Sequence, residues 1–274
     1  MTDTRNDIPE IEETESWQAR LMRGWLRDLV LAFGFLTRLR LPVSQASAEQ
    51  FARSARTYPL VGAWVGLIGA AVLAGTAWLG LPPAACALFA VAAMVLLTGG
   101  LHEDGLADVA DGFGGGSSAK QRLEIMRDSR IGAYGVLALI LAVGVKAALL
   151  VGFGSLREAV LALIAAAALS RAVMPFLMAW LGPARHDGLG HSAGAPWVID
   201  VLASLALGTG VAMLCLPWGV ALAALLAAVV VALVIGFMAV KRIGGKTGDV
   251  LGATQQVAEV AVLAVAGAGP FGLV

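Results

Sequence analysis

The stretch WGVALAALLAAVVVALVIGFMAV, residues 218–240, decides the fold class: 23 residues without a single charge. A helix of that length rises about 34 Å, enough to cross a hydrocarbon layer of about 30 Å. In lipid no water satisfies backbone N–H and C=O groups, so such a run crosses as a helix that bonds them internally. Working outward, comparable runs lie at 58–80, 83–101, 133–153, 157–181, 197–217 and 251–269. The breaks between them carry turn chemistry, Leu-Pro-Pro at 81–83, Gly-Phe-Gly-Ser at 152–155 and Leu-Pro-Trp at 216–218. The expectation is an all-α, polytopic integral membrane helical bundle with about seven transmembrane helices.

Composition agrees. The 274 residues are 59% hydrophobic and 14% charged, with mean hydropathy +0.83, whereas a soluble domain is roughly 25% charged. That excludes a soluble globular enzyme and a disordered chain. A β-barrel would show short alternating segments instead of continuous runs. The formal net charge is zero, so there is no basic field for nucleic acid. Cys86 and Cys215 sit in apolar runs and read as buried small hydrophobes. Neither belongs to a zinc-like or disulfide-like spacing.

Residues 1–16 are polar and acidic and read as a disordered tail, while 17–274 reads as one membrane-embedded domain without internal repeats. The segment 17–41 predicts an interfacial helix, with Arg20, Arg23, Arg27, Arg38 and Arg40 around an apolar stretch too short to span, 29–36. Basic residues gather in 37–56, 102–130, 182–196 and 241–249, while 81–82, 152–156 and the 217–218 turn are nearly bare. The positive-inside rule then places the N-terminus and the long loops in the cytoplasm, and seven spans would leave the C-terminus outside.

Most of the unusual polar residues therefore fall on one face. The richest segment runs from Thr98 through His102, Glu103, Asp104, Asp108 and Asp111 to Gly116. Asp104, Asp108 and Asp111 stand at i, i+4 and i+7, one stripe of a helix, where like charges repel unless a cation is shared. Carboxylate oxygens suit Mg²⁺, which takes one or two of them together with substrate phosphates. The glycines of 112–116 predict a turn that brings N–H groups to an anion. Arg122, Arg127 and Arg130 follow as candidate phosphate clamps. The pattern describes a site for phosphorylated substrates; its plainer reading is a solvated acidic loop balanced by basic neighbours.

A second cluster spans 241–252, with Lys241, Lys246 and Asp249. Its Gly-Lys-Thr is no P-loop, because Val240 stands where the first glycine belongs and a membrane helix precedes it instead of a strand. What remains is a flexible basic turn with one carboxylate on the same face as the first cluster. Lys146, Arg171 and Glu259 fall inside apolar runs and should face the bundle interior, as ion-pair glue or as part of a site. Loop 182–196 adds Arg185, His186 and His191, which read as polar loop.

The stretch GGLHEDGLADVADGFGGG followed by RLEIMRDSRIGAYG resembles the signature of the cobalamin synthase family, the adenosylcobinamide-GDP ribazoletransferases. The likeness extends to FLTRLRLP (35–42), ARTYPLVGAWVG (55–66), LSRAVMPF (169–176) and GGKTGDVLGATQQVAE (244–259), and so covers nearly the whole chain beyond the acidic tail. The resemblance implies a Mg²⁺-dependent enzyme of late cobalamin biosynthesis that joins adenosylcobinamide-GDP to α-ribazole, or its 5′-phosphate. A ribose hydroxyl would attack the cobinamide-proximal phosphorus and GMP would leave. On that reading Asp104, Asp108 and Asp111 hold Mg²⁺, with Asp128 or Asp249 as further ligands. Asp104 and Asp108 also count as catalytic, and His102, Glu103 or a freed aspartate serves as base. Substrate binding falls to Arg122, Arg127, Arg130, Arg171, Lys241, Lys246 and Asp249.

Two rivals remain at this point. A CDP-alcohol phosphotransferase also uses an aspartate-rich helix, but 104–108 lacks the arginine which that motif places after its alanine. A transporter would use the carboxylates as an ion path, though coupling sites sit near the midplane and these acids cluster at one face. The expected setting is the bacterial cytoplasmic (inner) membrane, multi-pass, with a cytoplasmic active face and the lipid bilayer as partner. Small-residue runs such as 165–168 admit contacts within the chain or a homo-oligomer, and contact with other late cobalamin-pathway enzymes is compatible with the reading.

Overall fold

The structure, a computed structural model, describes residues 17–41, 46–185 and 194–268. Among the described residues it is all helical, with one isolated β-bridge between Pro183 and Lys246. Among the described residues six spans are long and apolar enough to cross a membrane, or seven if one sharply bent helix pair counts as a span. The chain is a multi-pass membrane protein. The acidic tail, His186 and His191 lie outside the described residues.

The hub is α8 (Leu156–Ala172) with α9 (Met174–Trp180), one 25-residue crossing whose most apolar window is 78% buried, against 22% for α7 (Ala133–Gly152). Helix α3 (Tyr58–Trp78) packs on it through glycines. A Cβ on Gly62 would stand 2.2 Å from the Ala167 carbonyl oxygen, and one on Gly66 2.9 Å from the Ile164 Cα. Without a hydrophobic drive between helices in lipid, such backbone contact is what dispersion attraction needs. Ala165–Ala168 are fully buried inside this chain; the small-residue run serves contacts within one molecule.

Helix α4 (Pro83–Thr98) is shorter than the expected span 83–101, because Gly99 and Gly100 both take left-handed backbone (φ 70° and 72°). L-residues with a Cβ rarely adopt that conformation. The pair turns the chain by 93° into α5 (Leu101–Gly115), and the Arg38 side chain lies over Gly99, where a Cβ would meet its Nε. The predicted turn at 112–116 is corrected here: Gly112–Gly115 are helical, and Gly112 lets Met126 close on the helix.

Two N-terminal expectations also change. Helix α1 (Trp17–Leu36) ends before residue 41, where the Thr37 hydroxyl donates to the Phe33 carbonyl. Part of the expected loop 37–56 forms α2 (Ala48–Ser54), started by a Ser47–Gln50 capping box, followed by a 3₁₀ turn, Ala55–Thr57. Asp28, fully buried on α1, ties these pieces: it accepts from Arg53 at 3.1 Å and pairs with Arg56 at 2.7 Å. Arg56 also stacks over the Trp25 ring at 3.9 Å. Helix α1 is therefore anchored to α2 and the 3₁₀ turn by its own acid.

The bundle closes with α6 (Ala119–Ile125), α10 (Val198–Cys215), α11 (Trp218–Ile243) and α12 (Gly248–Ala268).

Candidate active site

The site forms where the starts of α5 and α12 touch. The contact is close because glycines face backbone: a Cβ on Gly105 would stand 2.8 Å from the Asp249 carbonyl oxygen, and one on Gly252 3.2 Å from the His102 Cα. This brings residues about 145 positions apart in sequence into one acidic cluster (Asp104 to Asp249). Asp249, Asp104 and Asp111 act on Asp108 as like charges, and Arg185 acts as the opposing charge. Arg185 pairs with Asp249 at 3.9 Å and donates to the Leu123 carbonyl at 3.1 Å. It is delivered by a short zipper in which the Lys246 N–H donates to Gly182 and the Ala184 N–H to Lys246.

Asp104 is exposed and Asp108 half-buried, as an accessible charged site requires. Asp111 has a structural task. Its buried carboxylate accepts from the backbone N–H groups of Gly132 (2.7 Å) and Gly135 (2.9 Å), capping the start of α7. Asp128 is also drawn away: Arg130 clamps it at 2.6 Å on the surface, and those hydrogen bonds pull its carboxyl down to about 2. Among the described residues no three His, Cys, Asp or Glu side chains converge closely enough to hold a metal ion. Of the expected set, Asp111 and Asp128 are engaged by the start of α7 and by Arg130, while Asp104 and Asp108 stay together beside Asp249.

The basic candidates scatter. Arg122 donates to the Arg242 carbonyl at 3.1 Å, fastening α6 to the end of α11. Arg127, Arg130 and Lys241 are exposed. Lys246 is buried, donates to the Met178 carbonyl, and burial pushes its ammonium below the usual value.

Arg171 and Glu103 belong to a network inside the bundle. Lys146 donates to Gln256 Oε1 at 2.7 Å and lies 3.6 Å from Glu259. Gln256 in turn donates to Glu103 Oε1 at 2.8 Å and to Gln255 at 2.8 Å. Gln255 donates to Ser170 at 3.0 Å and also to Glu259. Arg171 donates to the Ala167 carbonyl at 3.0 Å. The network holds Glu103, and with it the first turn of α5, against α7, α8 and α12. His102, 1% exposed, precedes Glu103 on that turn, with neither ring nitrogen hydrogen-bonded among the described residues.

Sequence reasoning missed Arg185 as the counter-charge and Gln256 as the holder of Glu103. Both depend on pairings across more than 60 residues, which no local spacing marks.

The chain matches the family model Cobalamin-5-phosphate synthase over residues 28–267. It is 44% identical to the adenosylcobinamide-GDP ribazoletransferase of Bradyrhizobium diazoefficiens, across 92% of this chain and 97% of that protein. The enzyme of the same name from Azorhizobium caulinodans is 46% identical across 87% of this chain and 94% of its own. That of Mesorhizobium japonicum is 44% identical across 89% and 94%. No solved structure matches it. With a match that takes in both helix starts of the acidic cluster, the chain belongs to the cobalamin-5-phosphate synthase family.

Proposed function

We propose that this protein joins adenosylcobinamide-GDP to α-ribazole, or to α-ribazole 5′-phosphate, and releases GMP. The observation that carries the reading is the family match over 28–267, which encloses the meeting of Asp104, Asp108 and Asp249 at one end of the bundle. In the reaction a ribose hydroxyl oxygen forms the new bond to the cobinamide-proximal phosphorus, and the bond from that phosphorus to the GMP oxygen breaks. The hydroxyl proton passes to a carboxylate, Asp104 or Asp108.

Transfers of this kind depend on positioning and charge neutralisation more than on covalent work by the protein. A cluster of carboxylates with Arg185 as its counter-charge suits a hard cation that completes its shell with substrate phosphates. Asp104 and Asp108, two carboxylates one helical turn apart, would hold Mg²⁺ together with substrate phosphates, and the ion would supply charge neutralisation for the diphosphate. Arg185, paired with Asp249, keeps that carboxylate oriented. The exposed Arg127 and Lys241 belong to the basic loops, whose charge attracts an anionic substrate. The basic loops point to the cytoplasmic face of the inner membrane as the side from which substrates enter.

The test is purified protein in lipid nanodiscs with adenosylcobinamide-GDP and each ribazole form, following GMP release with and without Mg²⁺. Product that requires the cation, and that falls about a hundredfold or more in Asp104→Asn and Asp249→Asn, is the expected result. Full turnover in both folded variants would remove the cluster from the reaction.

A further inference from the structure

A cavity of about 370 Å³, within the range of small-molecule pockets, lies between the ends of α3 and α7 and the starts of α4 and α8. Leu73, Ala77, Cys86, Leu150, Phe153 and Leu156 line it. It stands at the end of the bundle away from the acidic cluster. Phe153 meets Gly267, where a Cβ would be 3.7 Å from its ring, and Gly267 is 18 residues along α12 from Asp249, a rise of about 27 Å. The gap has a cause in the packing. Helix α8 gives its face to α3, where Gly62 and Gly66 let the backbones close. Helix α7, its neighbour in sequence, is the least buried of the six spans at 22%, and space remains where it stands away from that pair.

We propose that this cavity holds one acyl chain of a phospholipid whose phosphate rests on Arg157. The side chains on its wall are nearly all apolar, so water gains few partners there. Left empty, the wall loses the dispersion contacts that a filled space would give its atoms. One liquid water takes about 30 Å³, so the space admits about a dozen atoms of methylene size, most of one acyl chain. A whole phospholipid does not fit, and its headgroup must stay outside. Arg157 is placed to receive it. It follows Leu156 of the wall, is exposed, and forms no ion pair or hydrogen bond among the described residues. Glu158, the next residue, is not paired with it; that carboxylate lies over Gly154, where a Cβ would stand 3.3 Å from Oε2. A guanidinium meets phosphate oxygens with charge-assisted, often bidentate hydrogen bonds.

Depth supports the same occupant. Trp78 and Trp218, 86% and 74% exposed, stand at this end of α3 and α11, and exposed tryptophan marks the level of the headgroups. Arg157 is the only lysine or arginine in the segments that form this end, 73–86, 150–161 and 213–220. Its phosphate partner is thus fixed in place beside one cavity, on a face that is otherwise bare of positive charge. A chain seated here joins α7 to the α3–α8 pair and steadies the helix that carries Lys146. The inference needs only that the protein crosses the membrane, and stands apart from the ribazoletransferase reading.

The test places the full chain in nanodiscs that contain a phosphatidylcholine with a photoreactive diazirine in one acyl chain. Irradiation and peptide mass spectrometry then locate the label. In the wild type the wall segments 73–86 and 150–159 should be labelled at least threefold more than Leu222 and Leu226, which face outward at similar depth on α11, 42% and 64% exposed. Ala77→Phe fills the cavity and should cut the wall labelling at least threefold while leaving Leu222 and Leu226 as they were. Arg157→Gln should do the same, and its exposed position keeps the test decisive if Ala77→Phe fails to fold. A diacylglycerol carrying the same diazirine chain but no phosphate should label the wall no more than it labels α11. Wall labelling at the α11 level in the wild type, or unchanged in Arg157→Gln, overturns the proposal. Equal wall labelling by the diacylglycerol probe overturns it too, because the phosphate then contributes nothing.

Discussion

Replacing Lys146 by methionine tests how the bundle holds its active helix. Lys146 is 3% exposed, and its ammonium donates to Gln256 and faces Glu259 at 3.6 Å. At an effective dielectric of about 20, a pair at 3.6 Å contributes a Coulomb term of about 5 kcal/mol. Desolvation offsets much of that while both partners are present. Removing one partner is different, because Glu259 keeps its burial and loses its nearer counter-charge, leaving only the buried Arg171, so Lys146→Met should cost about 3 kcal/mol. Lys146→Met combined with Glu259→Gln removes the under-compensated carboxylate and should recover part of the loss. Unfolding in mixed micelles by a denaturing detergent gives the stabilities. Activity adds a second readout, since Gln256, freed from Lys146, no longer presents its amide to Glu103; kcat should fall more than KM rises. A single variant within about 1 kcal/mol of wild type, or a double variant as unstable as the sum of the singles, would refute this account of the network.

Three further outcomes follow from the geometry. Gly62→Ala puts a Cβ 2.2 Å from a backbone oxygen; α3 and α8 must part by about 1 Å, costing about 1–3 kcal/mol in the same unfolding assay. Asp111→Ala leaves two N–H groups at the start of α7 without acceptors and should cost about 1–2 kcal/mol, with Asp111→Asn losing less. Asp128, whose carboxyl is pulled down to about 2 by Arg130, keeps its charge as pH falls through the usual carboxylate range near 4; carbon NMR of the labelled carboxyl should show titration only near the lower value, and an ordinary titration would refute the clamp.

Much of the fold is legible because lipid leaves few choices. The uncharged run at 218–240 and its counterparts become α3, α7, α8 with α9, α10, α11 and α12 within a few residues. The exceptions have local causes. Gly99 and Gly100 stop α4 early because two consecutive left-handed residues cannot continue a helix. The basic segment before residue 58 hides α2, since charge alone does not mark loop when a capping box and a buried acid stabilise a short helix.

The site divides along the same line. Spacing along one helix placed Asp104 and Asp108 correctly on a shared stripe, because the i, i+4 relation is local geometry. What the stripe does not show is that the Asp111 carboxylate accepts from the start of a helix more than 20 residues later.

The amino-acid sequence by itself determined the membrane-spanning helical class, the family and the acidic helix, because hydropathy, glycine punctuation and helical period act over short stretches of chain. Only the tertiary structure decided which carboxylates meet, which arginine opposes them, and that Phe35, Phe51, Tyr58 and His102 enclose one cavity. Those choices depend on how closely helices approach where Gly105 and Gly252 lack side chains, a property of paired surfaces that no single segment carries.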